Sequence, residues 1–502
     1  MQNRNLTYSA VSGVIWSFLG VVGQGVAQII ILVILARLLT PEDFGLVGIA
    51  LIVISFFNII CELGIGSAII QRVNLENRHT QAGFTLSLLM SLILSVTAWF
   101  LAPLIASFFR TEKLSCVLKT MLIILPLHSL SLISASLLQR EFKFRTLALV
   151  EIISYLVGFG VCGVILAVLK LGVWALVGAY LCQSLFYAII LLTIRRKFLK
   201  LLFDFKACKE LMRFGIGFTI AEIANYFAGQ GDNVITGKFL GAQALGIYGR
   251  AYQLMAMPAT LFGGVIDRVL FSVMAKIQYE PQQLVRVYRH SLVLVALLTL
   301  PLSIAIFILA PEFIFALLGP QWKEVVIPFQ ILCLGMFFRT SYKMSESLAR
   351  ALGAVYRRAW RQWVYALFIF IGAGIGSQLG VSGIAVGVLI AIIINFFLMV
   401  HLSLKLIKMS MGNFIKVHSG SLYLSLVLGI LILLVKMACI VLGLSSVATL
   451  LISFFIGISA GIFVCLYLPY IFLGEEGRRL ILVLIEKMPP WIGKNMLSSR
   501  LI

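Results

Sequence analysis

Apolar stretches of about twenty residues follow one another along the whole of this 502-residue chain, separated by short polar connections. Each is long enough to cross a bilayer as a helix, and in hydrocarbon every backbone N–H and C=O has to be satisfied within its own segment. That restricts the fold to an all-α integral membrane protein. About fourteen spans are predicted, centred near Ile29, Ile54, Leu92, Leu125, Phe159, Tyr180, Ile220, Pro258, Leu298, Leu332, Phe370, Leu389, Ile430 and Phe455. They use roughly 300 residues and leave no soluble domain. The spans near Ile220 and Pro258 carry the most polar residues, and Gly380 marks the split between two others. Hydrophobic residues make up 61% and charged residues 12%, against about half and a quarter in soluble chains, so the surplus apolar surface must face lipid. The first span is expected to stay attached, because only Arg4 precedes it, it is too long for a signal sequence, and no small-x-small site follows.

One pattern occurs twice. Arg37-Leu-Leu-Thr-Pro-Glu-Asp-Phe-Gly45 closes one apolar stretch and opens the next, and Lys238-Phe-Leu-Gly-Ala-Gln-Ala-Leu-Gly246 does the same further on. Leu39/Leu240, Gly45/Gly246, Gly48/Gly249 and Ala50/Ala251 are identical at one constant offset. A multi-span chain built from two related halves is the usual plan of a transporter whose binding site lies between the halves. The competing explanation is chance likeness between two hydrophobic segments.

The net charge of +21 raises nucleic acid as a partner, but the placement of the charges argues against it. With Met1 in the cytoplasm, the cytoplasmic segments hold about 28 of the 40 Lys and Arg, the opposite loops about 7 and the spans about 5. This asymmetry is a topology signal that places both termini inside. The strongest cluster, Arg195-Arg196-Lys197 with Lys200, Lys206, Lys209 and Arg213, joins the sixth and seventh spans. It anchors that loop and suits contact with anionic membrane lipid.

Nothing in the chain spells out a reaction. The eight cysteines are scattered without a C-x-x-C pair and read as free apolar thiols. The five histidines, His79, His128, His290, His401 and His418, stand far apart, so no metal site is expected. No phosphate-binding G-x-x-x-x-G-K-[ST] run occurs and no loop is long enough for a nucleotide-sugar site. Neither a cofactor nor an enzymatic activity is expected. A membrane glycosyltransferase or acyltransferase is the enzymatic alternative.

The informative residues are ionisable groups inside spans, where a charge costs about 3 kcal/mol or more and normally faces the bundle interior or a water-filled cavity. Arg339, Lys343, Glu346 and Arg350 recur at steps of four, three and four and share one helix face. Arg350 reads as the cytoplasmic end of its helix, whereas Arg339 and Lys343 are cavity candidates. Glu222, Asn225, Gly229 and Asp232 follow helical spacing, with Asn233 beside them; Arg250 and Gln253 lie one turn apart. Ser17, Gln24 and Gln28 share a face of the first span, and Ser55, Asn58 and Glu62 share one in the second. Turned toward each other, these faces enclose a polar, partly cationic cavity: Arg250, Arg339 and Lys343 bind substrate, and Gln24, Gln28, Asn58, Asn225 and Gln253 line the wall. The alternative for the uncharged residues is interhelical hydrogen bonding. Such a cavity selects an anion, and a guanidinium is shaped to hold phosphate oxygens through two bonds at once. Glu62, Glu222 and Asp232 either take up a proton or sodium ion to drive movement or neutralise the arginines as ion pairs. Pro126, Pro258, Pro301 and Pro328 can kink their spans, and Gly372-Ala-Gly-Ile-Gly376 allows close helix packing. The tail from 474 to 502 reads as a helix lying on the cytoplasmic surface.

Ala36-Arg-Leu-Leu-Thr-Pro-Glu-Asp-Phe-Gly45, Glu62-Leu-Gly-Ile-Gly-Ser-Ala-Ile-Ile-Gln71, Leu138-Gln-Arg-Glu-Phe-Lys-Phe144 and Leu245-Gly-Ile-Tyr-Gly-Arg-Ala-Tyr252 resemble the polysaccharide flippases of the multidrug/oligosaccharidyl-lipid/polysaccharide exporter superfamily, above all its Wzx-type lipopolysaccharide and colanic-acid exporter branch. The resemblance covers nearly the whole chain; its motifs mark the family well and the sugar poorly. It implies two pseudo-symmetric six-helix lobes plus two C-terminal helices: an N-terminal lobe at 1–195, a basic connector at 196–213, a C-terminal lobe at 214–404, extra spans at 405–473 and the tail at 474–502. It also implies that an undecaprenyl-diphosphate-linked oligosaccharide passes from the inner to the outer leaflet of a bacterial cytoplasmic membrane by alternating access, with a polysaccharide polymerase as a candidate partner. A drug/cation antiporter, a lipid II flippase and a non-transporting scaffold are the alternatives. A cation carrier would call for a dominantly acidic cavity, and here the bases in spans at least match the acids.

Overall fold

The computed structural model describes residues 27–72, 74–194 and 201–467 together with Gly23 and Gly25; the side chains at 213–214, 217–218, 221, 224, 261–269, 355 and 465–467 are outside the description. Ser17, Gln24, the start of the connector at 196–200 and the tail at 474–502 lie outside the described residues. All regular structure among the described residues is helical. Among the described residues, nine helical stretches are long and apolar enough to span a membrane, or ten if the bent pair Pro320–Cys333 and Met336–Ala351 is one span. The chain is therefore a multi-pass membrane protein. One of the nine, Tyr356–Ile407, holds two of the expected spans, because Gly380 (φ 75°) breaks it after a 3-10 turn at Ser377–Leu379. The two expected spans near Ile220 and Pro258 share the long helix Phe205–Lys276, whose Glu222, Asp232, Lys238 and Arg250 make it less apolar than the nine.

Contacts divide the chain into two compact units, Met1–Gly249 and Arg250–Ile502. This division falls inside the helix Phe205–Lys276, whereas the basic connector at 196–213 is the seam suggested by the repeat; the one follows packing density and the other sequence symmetry.

In the first unit α1 is Ala27–Leu38 and α2 is Pro41–Glu62. Thr40 sets the start of α2: its Oγ1 accepts from the Asp43 N–H while the Asp43 carboxylate accepts from the Thr40 N–H, and Pro41 occupies the first turn, where a missing N–H costs nothing. α2 ends at Leu63 and Gly64, both left-handed (φ 44° and 63°). Then follow α3 (Ile65–Gln71), α4 (Asn77–Phe108), α5 (Lys113–Met121), α6 (Ile124–Arg140), α7 (Phe144–Tyr155), a π-helical stretch Leu156–Gly163, α8 (Val164–Val168) and α9 (Val173–Ile194). Pro126 lies in the first turn of α6, so it follows a helix break instead of kinking a continuous helix.

α10 is Phe205–Lys276, interrupted at Gly241 by a φ of 85° and ψ of −176° that only glycine adopts freely. Its first part runs antiparallel to α2. A Cβ on Gly64 would meet the Gly215 carbonyl oxygen at 2.6 Å, Tyr226 Oη donates to the Ile52 carbonyl, and a Cβ on Gly45 would meet the Ala242 carbonyl oxygen at 1.7 Å. The two copies of the sequence repeat thus touch each other, and they do so reciprocally. Gly45 packs on Ala242, and Gly246, its counterpart, packs on Pro41, where a Cβ would stand 1.9 Å from the carbonyl oxygen. Pro41 and Ala242 hold the same place in the two copies, so the contact has local two-fold character.

In the second unit α11 is Pro281–Ile308, α12 Ala310–Leu317, α13 Val326–Cys333, α14 Met336–Ala351, α15 Val355–Gly376, α16 Gly380–Ile407, α17 Met411–Val441 and α18 Ser446–Tyr467. Its core gathers Tyr288, Leu292, Met344, Leu348, Phe396 and Val400. The bend of 43° between the helices flanking Leu334–Gly335 falls well after Pro328, which sits in the first turn of α13. α15 and α16 pack backbone to backbone: a Cβ on Gly372 would lie 2.6 Å from the Gly387 carbonyl oxygen, and one on Gly376 would lie 2.3 Å from that of Gly383. The glycine run at 372–376 therefore does what its composition suggests.

Candidate functional site

The four-residue stripe on α14 is visible in its burial. Arg339, Lys343, Glu346 and Arg350 are half-buried on a helix most of whose other residues are buried. Spacing alone puts them on one face, and the face proves to be the least enclosed one. Three of them reach the second part of α10. The Arg339 guanidinium lies 4.8 Å from the ring centroid of Tyr252, and Lys343 Nζ donates to the Ala259 carbonyl at 3.1 Å. On α10 itself Arg250 donates to Gln253 Oε1. Arg250, Gln253, Arg339 and Lys343 thus fall along the same pair of helices, α10 and α14. Glu346 pairs with Arg358 on α15, so the stripe's acid is neutralised from another helix. Arg350 lies 5.2 Å from the Phe271 ring centroid.

In the first unit the polar residues have separate surroundings. Glu62, at the end of α2, faces His128 of α6 at 3.7 Å and lies within electrostatic reach of Glu222 on α10. Asn58, one turn before Glu62, holds a buried side-chain oxygen without a hydrogen-bond partner. Gln28 is half-buried on α1 and Asn225 is exposed. Asp232 differs from the rest of its stripe. It is 2% exposed, and its carboxylate accepts from Tyr248 Oη at 2.6 Å and from the Asn233 N–H at 2.9 Å. A carboxylate so enclosed staples the two parts of α10 around Gly241.

Two polar assemblies had no sequence signal. Arg72 and His79 both donate to Glu210, at 2.5 and 3.1 Å. The other His79 nitrogen, Nδ1, accepts from the Glu76 N–H at 3.1 Å, which leaves the ring proton on Nε2 for Glu210. These hydrogen bonds, His79 first and Arg72 second, hold the Glu210 carboxyl below its ordinary value of 4.5. In the second unit Lys436 of α17 donates to Glu312 of α12 at 2.9 Å and to the Ile308 carbonyl at 2.8 Å. His128 and Tyr252 complete the inventory. The aromatic partner of Arg339 stood in the Leu245–Tyr252 motif without its role being readable there. The seven described cysteines are free thiols, as their scatter suggested.

Comparison with known proteins converges on one kind of protein. Residues 34–327 match the family model described as "Polysaccharide biosynthesis protein". The lipopolysaccharide biosynthesis protein WzxC of Escherichia coli (strain K12) is 26% identical over 86% of this chain and 88% of its own length. The succinoglycan biosynthesis transport protein ExoT of Rhizobium meliloti (strain 1021) is 27% identical over 61% of this chain and 62% of its own. Among solved structures, the lipid II flippase MurJ in an inward closed conformation superposes with a TM-score of 0.77 at 17% identity, covering 93% of this chain and all of that one. At that identity the likeness establishes the fold.

Proposed function

The chain belongs to the polysaccharide biosynthesis protein family, and we propose that it is a flippase that moves a lipid-linked oligosaccharide across a bacterial cytoplasmic membrane. The substrate class is a glycan on undecaprenyl diphosphate, delivered from the inner to the outer leaflet for surface polysaccharide synthesis. It is a transporter and not an enzyme, with both termini in the cytoplasm and, as a further partner, a polymerase that uses the delivered unit.

The observation that carries this reading is the row of basic groups along α10 and α14. Arg250, Arg339 and Lys343 lie on α14 and on the part of α10 from Arg250 onward, while the one acid of the α14 stripe is neutralised by Arg358. A diphosphate is the part of the substrate that such a group recognises, since arginine binds phosphate oxygens in pairs. In this reading the flippase opens alternately to the two faces, takes the diphosphate on the three bases, and leaves the lipid tail in the bilayer. Glu62 and Glu222, with His128, form the titratable cluster that couples an ion to this movement, and Gln28, Asn58, Asn225 and Gln253 supply polar lining. Asp232, enclosed against Tyr248, acts as a charge-balancing residue within α10.

Leaflet-resolved labelling of lipid-linked oligosaccharide, in cells with and without the protein, tests the function. The expected result is glycan trapped on the cytoplasmic face without the protein and displayed outside with it; an unchanged distribution refutes the reading and favours drug or cation export. Arg339→Ala and Arg250→Ala are expected to abolish export while the protein remains inserted. Normal export by both variants removes the cationic clamp.

A further inference from the structure

The N-terminal half of α15 carries chemistry that the transport reading does not use. Tyr356, Trp360, Trp363, Leu367, Ile371 and Ile375 recur at steps of four, three, four, four and four, which is one face of a helix. That face is open: the exposures are 90, 49, 58, 57, 46 and 65% in the same order. An apolar stripe of this length belongs against lipid. Its three aromatics sit together at one end, where a membrane helix passes from hydrocarbon to head groups.

The same end is cationic. Arg357 is exposed and Arg361, one turn on, is only 8% exposed. Arg361 is rigidly placed: Nε donates to the Leu398 carbonyl at 3.1 Å, Nη1 donates to the Arg357 carbonyl, and the guanidinium lies 4.5 Å from the Trp360 ring centroid. Backbone carbonyls and an aromatic ring orient a guanidinium without neutralising its charge. Glu346 of α14 is already paired with Arg358 and offers no compensation.

The packing of α15 on α16 adds to this charge. Gly376 meets Gly383, Gly372 meets Gly387 and Arg361 meets Leu398, so each step back along α15 is matched by an equal step forward along α16. Continued by one turn or two, this register brings His401 and then Lys405 alongside the basic end of α15, and both are exposed.

We propose that this end of α15, with Arg357, Arg361 and Trp360 at its centre and Lys405 of α16 at its rim, binds the phosphate of an anionic phospholipid head group. The acyl chains lie along the stripe from Trp363 to Ile375. A protein partner would leave that apolar stripe continuing into the bilayer unexplained, whereas a phospholipid matches both the charged end and the apolar length.

The test uses the full-length protein, delipidated in detergent and titrated with phosphatidylglycerol or phosphatidylcholine under native mass spectrometry. Arg357→Gln and Lys405→Gln replace exposed side chains, so folding is preserved. Each is expected to weaken phosphatidylglycerol binding about fivefold while leaving phosphatidylcholine binding unchanged. Trp360→Leu is expected to weaken phosphatidylglycerol as well. Equal retention of phosphatidylglycerol by the Arg357→Gln/Lys405→Gln double variant and the unaltered protein overturns the proposal. So does a loss shared equally by both lipids, which would assign binding to the apolar stripe alone. If binding of undecaprenyl diphosphate depends on these residues and that of phosphatidylglycerol does not, the site serves the transported lipid and the phospholipid assignment falls.

Discussion

The reciprocal glycine contact between α2 and α10 makes a quantitative prediction. Replacing Gly45 with alanine would place a Cβ 1.7 Å from the Ala242 carbonyl oxygen and 2.5 Å from its carbonyl carbon, where real Cβ atoms essentially never come within 3.0 Å. The obstruction is backbone, so no rotamer change relieves it, and the two helices have to separate by about 1.3 Å or more. Overpacking of this kind costs about 1–3 kcal/mol, and a backbone obstruction belongs at about 2–3 kcal/mol, or roughly a 30- to 150-fold shift away from the contact. Gly246→Ala, with its Cβ 1.9 Å from the Pro41 carbonyl oxygen, should act alike, and the double variant should fall short of the sum because both substitutions break one contact. The motif supplies its own controls. A Cβ on Gly48 would meet only the Leu245 side chain, at 3.4 Å, and one on Gly249 nothing within 4 Å. The assay is labelling of an Ala242→Cys variant by a membrane-impermeant maleimide, measured over the background of the exposed Cys116. Labelling should accelerate about 30- to 150-fold with Gly45→Ala or Gly246→Ala and stay unchanged with Gly48→Ala or Gly249→Ala. Equal rates in all four backgrounds would show that the contact holds nothing closed.

Two further ion clusters are testable. Lys436 and Glu312 are 16 and 12% exposed, so Lys436→Met strands a carboxylate and should cost about 2–3 kcal/mol of stability; a Lys436→Met/Glu312→Met double variant should recover most of it, and a double variant as unstable as the single one refutes the pairing. The Glu210 carboxyl is held below 4.5 by His79 and Arg72, so its contribution is complete above that value and is lost as pH falls through the lowered one. The difference in unfolding temperature between the unaltered protein and Glu210→Gln should therefore be present at neutral pH and shrink as the solution is acidified below 4.5, and a pH-independent difference would refute it.

The sequence exposes what is local. A helix face is written in steps of three and four, so the Arg339–Arg350 stripe could be read directly, as could the break at Gly380 and the close packing at Gly372–Gly376. Proline was a poorer guide to geometry than to composition: Pro126 and Pro328 begin helices, and the bend near Pro328 is centred on Leu334–Gly335 instead. Partners distant along the chain leave no local trace. Glu210 is 138 residues from Arg72, and Lys436 is 124 from Glu312; neither pair has a spacing that announces it. Asp232 shows the limit within a single stripe. Helical spacing groups it with Glu222 and Asn225, yet the break at Gly241 lets Tyr248 fold back onto it, a contact that requires knowing where α10 stops being straight.

The repeat lies between these cases. Gly45 and Gly246 are legible as equivalent positions, because identity at a fixed offset needs no structure. Equivalence alone is compatible with two copies that never meet. Contact follows only once Gly241 breaks α10 and Leu63–Gly64 ends α2, since these turns let α2 run antiparallel to α10 and bring Pro41 and Ala242 to one place. Each glycine then faces a carbonyl from the other copy, and that reciprocity explains why both copies need a residue without a side chain at this position, while Gly48 and Gly249, equally matched in sequence, have room to spare. Sequence symmetry nominated four identical pairs, and packing singles out one of them as the contact on which a substitution should be felt.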